Sequence, residues 1–226
     1  MVFVTTAEQK AHGTRRPRSD GVANRERLLA AAAVAIMREG TGVPMSKIAA
    51  DAGVGVGTLY RHFASREALL SALTHRSFRK VLDTAQHSAD SDGTAVECIR
   101  RFLNDTIRHG PELVLPLHGG PVPVDQATLA LRAEVHATLD AILRRGREDG
   151  TIRANVTALD IVIFGAMIVQ PLPTVTHWDQ IAKRQSEIFL DGLALVDGAT
   201  LPVAKVPAVT SGHGAADTGN SSVRPE

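Results

Sequence analysis

The chain has 226 residues, 44% of them apolar and 22% charged, which is typical of a globular protein with one large or two small domains. A single cysteine, Cys98, excludes a disulfide framework and a cysteine-based zinc site. The net charge of +1 conceals an asymmetry, because residues 1–80 hold thirteen Lys and Arg residues against six Asp and Glu residues. This excess favours a polyanionic partner at that end of the chain, with a solvated basic face as the alternative.

The first third of the chain predicts a basic arm followed by four helices. Residues 1–18, which include GTRRPR, lack periodicity and are expected to form a mobile arm. Apolar residues then recur at helical spacing until Gly40 closes the first helix. The segment MSKIAADAG predicts a short helix with Ser46 as its N-cap and Gly53 as its stop. A brief apolar segment follows, and Ser65 is expected to cap the fourth helix.

Longer helices are predicted downstream. Apolar periodicity indicates helices over residues 94–109, 124–148, 157–169 and 178–196, and a short helix or turn over 111–117. Beyond them the composition shifts to Gly, Ala, Ser, Thr and Pro, which predicts a disordered tail. No stretch has a convincing strand pattern, so we predict an all-α fold. The longest apolar stretch is too short to span a bilayer, and we expect no signal peptide, no membrane partner and a cytoplasmic location.

The stretch DAGVGVGTLYRHF carries three glycines at alternate positions. A dinucleotide-binding loop needs G-x-G-x-x-G after a strand, whereas here Thr58 or Tyr60 stands at the sixth position and a helix precedes. A helix-turn-helix motif fits better. Ala49 is small enough for two helices to cross closely, Gly53 tolerates the positive φ of the turn, and Leu59 anchors the second helix. The second helix of such a motif lies in the major groove of DNA.

The run MSKIAADAGVGVGTLYRHFASREALLSAL, with the preceding RERLLAAAA segment, resembles the DNA-binding domain of TetR-family transcriptional regulators. It contains the signature IA-x-x-AGV-x-x-GTLY-x-HF-x-S-[KR]-E-x-LL. A looser similarity to the family's regulatory domains covers LRAEVHATLDAILRRGREDGTIRANVTALD and FLDGLAL. The resemblance implies an N-terminal three-helix DNA-binding domain over residues 19–66 and a larger helical ligand-binding and dimerisation domain over 67–196. They are flanked by the arm (1–18) and the tail (197–226).

Candidate DNA contacts follow from this resemblance and from the side chains themselves. They are Ser46, Lys47, Gly55, Val56, Gly57, Thr58, Tyr60, Arg61, His62 and Arg66. The two glycines would let backbone N–H groups approach DNA closely, with a plain turn as the alternative. Thr58 is expected to touch a base, and Arg61 either reads a guanine or only screens phosphates. The arm arginines, Arg15, Arg16 and Arg18, either enter a minor groove or make no contact.

The second domain is expected to bind a small molecule and a second copy of the chain. The candidate ligand-binding residues are Phe102, Leu117, His118, Phe164 and Met167, with a filled core as the alternative. Few charges fall on these faces, so a mostly apolar effector is expected. The broad apolar faces of the last two helices favour a four-helix dimer interface over an intramolecular core. His109, His118 and His136 are the only histidines that could converge on a metal, and we expect neither a metal nor a cofactor.

These features predict a ligand-responsive transcriptional regulator. We expect a repressor that binds a palindromic operator in double-stranded DNA as a homodimer and is released by a small effector. The alternative is an effector-independent or architectural DNA-binding protein, which a filled regulatory core would favour. An enzyme is not expected, because no nucleophile–base pairing, metal-ligand spacing or cofactor loop is present, and no catalytic residue is assigned.

Overall fold

A computed structural model describes residues 17–114, 125–172 and 174–194 of the chain. These residues form eight α-helices and one 3-10 turn, and they contain no β-strand beyond a single bridge between Ile152 and Ala194. The all-α prediction is confirmed. The helices are α1 (Pro17–Glu39), α2 (Met45–Asp51), α3 (Val56–His62), α4 (Arg66–Ala89), α5 (Ala95–His109), α6 (Gln126–Glu148), α7 (Ala158–Ile168) and α8 (Trp178–Leu193), with the 3-10 turn at Gly110–Glu112 between α5 and α6.

Capping side chains explain where several helices begin. The Ser65 hydroxyl accepts a hydrogen bond from the Ala68 N–H at 3.2 Å, as expected from the sequence. Thr94 and Thr157 each form a capping box with an acidic residue three positions on. The prediction for Ser46 is wrong. Helix α2 begins at Met45 after Pro44, so Ser46 lies within the first turn and makes no capping bond.

The start of α1 also differs from the prediction. The helix begins at Pro17, whose fixed φ suits a first helical position. Arg18 therefore belongs to α1 and not to a mobile arm. Arg15 and Arg16 lie outside the described residues, as does the predicted tail.

The two largest of three apolar clusters divide most of the described helices between them. The first cluster joins α1, α2, α3 and the start of α4 and includes Leu28, Leu29, Ala32, Ile36, Ile48, Leu59, Phe63, Leu69 and Leu73. The second joins the rest of α4 with α5, α6, α7 and α8, and includes Phe78, Leu82, Ile99, Phe102, Leu139, Ile161 and Leu190. Helix α4 runs unbroken through both clusters. The change from one core to the other thus falls within α4, between Leu73 and Phe78. The DNA-binding domain predicted from the sequence ends earlier, at residue 66.

Candidate nucleic-acid interface and ligand cavity

Helices α2 and α3 form a helix-turn-helix unit whose turn depends on Gly53. Its φ of +68° is in the left-handed region that favours glycine. The Val54 N–H donates to the Ala49 carbonyl at 3.0 Å, which closes the end of α2. Ala49 and Leu59 are both buried, so α3 is anchored on one side by Leu59 and turns its other side outward. This is the geometry expected from the small, turn and anchor residues of the motif.

The outward face of α3 combines small residues at its start with polar residues further on. Gly55, Val56 and Gly57 are all exposed, and Gly55 precedes the first turn of the helix. A Cβ added to either glycine would meet no atom within 4 Å. The protein itself therefore does not require glycine at these two positions, unlike at Gly53.

The later part of α3 carries the three consecutive residues that follow Leu59. Tyr60 is 49% exposed, Arg61 is exposed and His62 is partly buried. Arg61 takes part in no ion pair or hydrogen bond with the described part of the chain. Thr58, on the preceding turn, is partly buried. Arg61 and Tyr60 are thus free to contact an external partner.

Two of the predicted phosphate-contacting cations already have partners within the protein. The Lys47 ammonium lies 2.8 Å from a carboxylate oxygen of Asp51 and 3.1 Å from one of Glu39, and these hydrogen bonds raise the pKa of Lys47. The Arg66 guanidinium donates to the Thr41 carbonyl at 2.7 Å and ties α4 to the loop between α1 and α2. Arg66 therefore has a structural task that the sequence did not indicate. Ser46 is exposed beside Lys47.

A cavity of about 420 Å³ lies among α4, α5, α6 and α7. Its described lining is mostly apolar and consists of Phe78, Val81, Phe102, Thr106, Arg132, Val135, His136, Leu159, Val162, Ile163, Gly165, Ala166 and Met167. Burial, and after it the charge of Arg132, lowers the pKa of His136, so its ring is neutral near neutral pH.

Only some of the five predicted ligand-binding residues line this cavity. Phe102 and Met167 line the cavity. Phe164 does not, because its ring stacks on that of Phe189 with the centroids 3.9 Å apart. Leu117 and His118 lie outside the described residues. The sequence analysis missed Arg132 as a lining residue and considered His136 only as a metal ligand.

Helices α7 and α8 expose large apolar side chains. Ile163 is 49% exposed, Met167 61% and Ile188 54%, although other residues of the same helices are buried in the core. Single exposed apolar residues are ordinary, but these three lie on the last two helices, for which the sequence predicted a dimer interface. Within the described ranges, no helix is long and apolar enough to cross a membrane, and no three His, Cys, Asp or Glu side chains are grouped as a metal site.

Known proteins share this architecture. Residues 28–73 match the model of the family described as bacterial regulatory proteins, tetR family. The TetR transcription regulatory protein from Mycobacterium vanbaalenii is 28% identical, with 79% of this chain and 99% of that chain covered and a TM-score of 0.53. This chain belongs to the TetR family of transcriptional regulators.

More distant structures support the fold of this TetR-family regulator. CprB from S. coelicolor, a TetR family protein, is 22% identical over 78% of this chain and 91% of its own, with a TM-score of 0.64. AibR, determined with isovaleryl coenzyme A and operator DNA, is 19% identical over 76% of this chain and 98% of its own, with a TM-score of 0.60. No curated protein sequence matches the chain. The predicted family and fold are confirmed, and the family consists of DNA-binding regulators.

Proposed function

We propose that this regulator is a ligand-responsive repressor that binds a palindromic operator as a homodimer. The observation that carries the proposal is the outward face of α3. It begins with two exposed glycines that nothing in the protein requires, and it continues into exposed Tyr60 and Arg61. A helix with little bulk at its N-terminal end lets backbone N–H groups and short side chains reach base edges and phosphates in a major groove.

The DNA-contacting residues divide by the chemistry they offer. Gly55, Val56 and Gly57 give close approach, Thr58 a methyl and a hydroxyl for a base edge, and Arg61 a guanidinium for guanine or phosphate. Five further side chains are proposed to contact phosphates and the groove edge, as is the N-terminus of α3. These side chains are Ser46, Lys47, Tyr60, His62 and Arg66. For Lys47 and Arg66, contact with a phosphate means exchanging or sharing their present partners.

The dimer is proposed to form through α7 and α8. The exposed side chains of Ile163, Met167 and Ile188 would be covered when the two helices of each protomer form a four-helix bundle. A two-fold axis through such a bundle presents two copies of α3 to the same duplex, which requires a palindromic operator.

The effector is proposed to bind in the cavity and to act through α4 and the 3-10 turn. Helix α4 lines the cavity with Phe78 and Val81 and also contributes to the N-terminal core. The Ser77 hydroxyl accepts a hydrogen bond from the Val114 N–H at 2.9 Å, which ties the segment after the turn to α4. A ligand that moves α4 would therefore change the spacing of the two α3 helices. That AibR was determined with both a small molecule and DNA supports this proposal.

Ion pairs extend the same connection to α1. Glu112 of the 3-10 turn lies 2.8 Å from the Lys80 ammonium and 3.5 Å from the Arg76 guanidinium, both on α4. Arg76 also lies 3.5 Å from Glu26 of α1. The effector domain and the DNA-binding domain are thus joined by charged side chains as well as by the shared helix. We further propose a cytoplasmic, non-enzymatic protein.

A gel-shift titration against the DNA that flanks the protein's own gene tests this function. We expect a specific complex at physiological salt, with a stoichiometry of two chains per site, and its dissociation in the presence of an effector. Absence of any specific complex would contradict the DNA-binding proposal. A specific complex that no small molecule affects would favour an effector-independent regulator instead.

A further inference from the structure

The cavity among α4, α5, α6 and α7 is apolar except along one edge. Aromatic and aliphatic side chains such as Phe78 and Phe102 form most of its walls, and none of its described lining residues is acidic. Thr106, Arg132 and His136 are the polar side chains that interrupt this lining. A few polar groups in an apolar cavity of this size are typical of a small-molecule site, in which they set the ligand's orientation and chemical class.

Arg132 is a partly buried cation without an anion. Over residues 17–114, 125–172 and 174–194, the structure gives its guanidinium neither an ion pair nor a hydrogen bond. Arg100 of the same domain differs, since its guanidinium lies 3.0 Å from a Glu187 carboxylate oxygen. A guanidinium beside apolar surface is most stable when a planar anion accepts its parallel N–H groups.

His136 adds a second donor to the same edge. It follows Arg132 by four residues on α6, so the two side chains lie on one face of the helix. Its neutral ring has one N–H to donate. Thr106 has no donor left, because its hydroxyl already donates to the Phe102 carbonyl at 2.7 Å. Among the described lining residues, the available donors are therefore one permanent cation and one neutral imidazole.

We propose that the cavity binds an organic monocarboxylate, with its carboxylate on Arg132 and His136 and its apolar body between Phe78 and Phe102. The inference rests on the proposed function in treating this cavity as the effector site. A single negative charge matches a single guanidinium. A phosphate monoester carries almost two charges and would bring unpaired charge into an apolar cavity, while a neutral ligand would leave Arg132 without a counter-ion.

Calorimetric titration of the full-length protein with matched ligands tests the assignment. The acids are octanoate, decanoate and a phenylalkanoate, and each has its primary amide as a neutral partner of nearly the same shape. We expect at least one acid to bind about 10- to 100-fold more tightly than its amide, which is the range for hydrogen bonds to charged groups. R132Q should remove this difference by weakening acid binding alone, and R132K should restore part of it, since it keeps the charge but not the planar fork.

The matched control is R144Q, because Arg144 lies on the same helix, is exposed and does not line the cavity. Acid binding should be unchanged in R144Q, and the thermal midpoints of all variants establish that they are folded. Equal binding of acids and amides, acid binding that survives R132Q, or no binding of any acid at millimolar concentration would each overturn the assignment.

Release from the operator is measured separately, with the same ligands, in the gel-shift experiment. Arg132-dependent binding of an acid without release of DNA would leave the carboxylate site intact and contradict the proposed effector role. Release by neutral compounds alone would preserve the proposed function and contradict the carboxylate assignment.

Discussion

Helices α3 and α6 both contain a glycine where other residues would favour the helix more strongly, but the space around the two glycines differs. At Gly57 of α3, an added Cβ would meet no atom within 4 Å. At Gly146 of α6, it would lie 2.7 Å from side-chain atoms of both Ala95 and Ile152. The glycine of α6 is needed for packing inside the protein, whereas that of α3 leaves room for something outside it.

The two helices also differ in where they place an unpaired arginine. Arg61 on α3 is exposed on the surface of a short helix, and Arg132 on α6 is directed toward an apolar cavity. Both lack an anionic partner within the described chain. The first can meet a large polyanion and the second only a molecule small enough to enter the cavity. The two regions of the protein therefore differ in the size of the partner they admit.

The largest effect is expected at Gly57. G57L should lower specific operator affinity by at least about 100-fold, because a large side chain would hold the start of α3 away from base edges. Gly57 is exposed and a Cβ added there would meet no atom within 4 Å, so the thermal midpoint should not fall. Fluorescence anisotropy with operator DNA measures the change. G42L, at another glycine with open space, is the control and should bind normally. Normal operator affinity in G57L would show that α3 does not approach DNA closely.

The next largest effect is expected at the dimer face. I188E should weaken the homodimer by about 2–4 kcal/mol, because burying an unpaired carboxylate is unfavourable. Sedimentation velocity would detect monomers, and operator affinity should fall with dimer content. L129E is the control, since Leu129 is 42% exposed but lies on α6. An intact dimer in I188E, or equal dissociation in L129E, would contradict the proposed interface.

A smaller loss of stability is expected at Gly146. G146A should lower the free energy of unfolding by about 1–3 kcal/mol, since α6 cannot approach Ala95 and Ile152 as closely with a methyl group between them. Urea denaturation measures the change. G57A is the matched variant and should leave stability unchanged or slightly raised, because alanine favours the helix and meets no neighbour. An equal change in the free energy of unfolding in G146A and G57A would contradict the proposed difference in packing between Gly146 and Gly57.

The smallest effect is expected at the ion pairs around Glu112. E112Q should destabilise the protein by at most about 1 kcal/mol, because the carboxylate is partly exposed and screened. The hydrogen bond from Lys80 lowers the pKa of Glu112, so its contribution is present above the ordinary glutamate value of 4.5 and is lost as pH falls through the lower folded value. Denaturation at neutral and acidic pH should therefore show the difference between E112Q and wild type shrinking in acid. A constant difference would mean that the charge is not its cause.

The sequence predicted the DNA-binding region better than the effector region for a physical reason. The turn at Gly53, the small Ala49 and the anchor Leu59 are local requirements of one motif, and residue type alone expresses them. Lining a cavity depends on distant elements. Phe102 and Phe164 both lie on apolar helix faces, so the sequence pattern does not distinguish them. Only Phe102 reaches the cavity, because Phe164 stacks on Phe189.

Arg132 illustrates what the pattern could and could not indicate. It lies next to Leu131 and four residues before His136, so it borders the apolar face of α6, but exposed arginines border such faces equally often. Only the positions of α4, α5 and α7 show that this edge faces a cavity. The cap predicted at Ser46 failed for a local reason instead. Pro44 takes the N-cap position, so the helix begins at Met45, two residues earlier than a cap at Ser46 would require.

Hydroxyl-radical footprinting of the protein on its operator tests most directly the claim that paired α3 helices read DNA. We predict two protected half-sites related by two-fold symmetry on one face of the duplex, with centres about 34–36 Å apart or a multiple of that distance. We also predict that both protections are lost together in G57L. A single asymmetric protection, or a symmetric one that persists in G57L, would contradict the account.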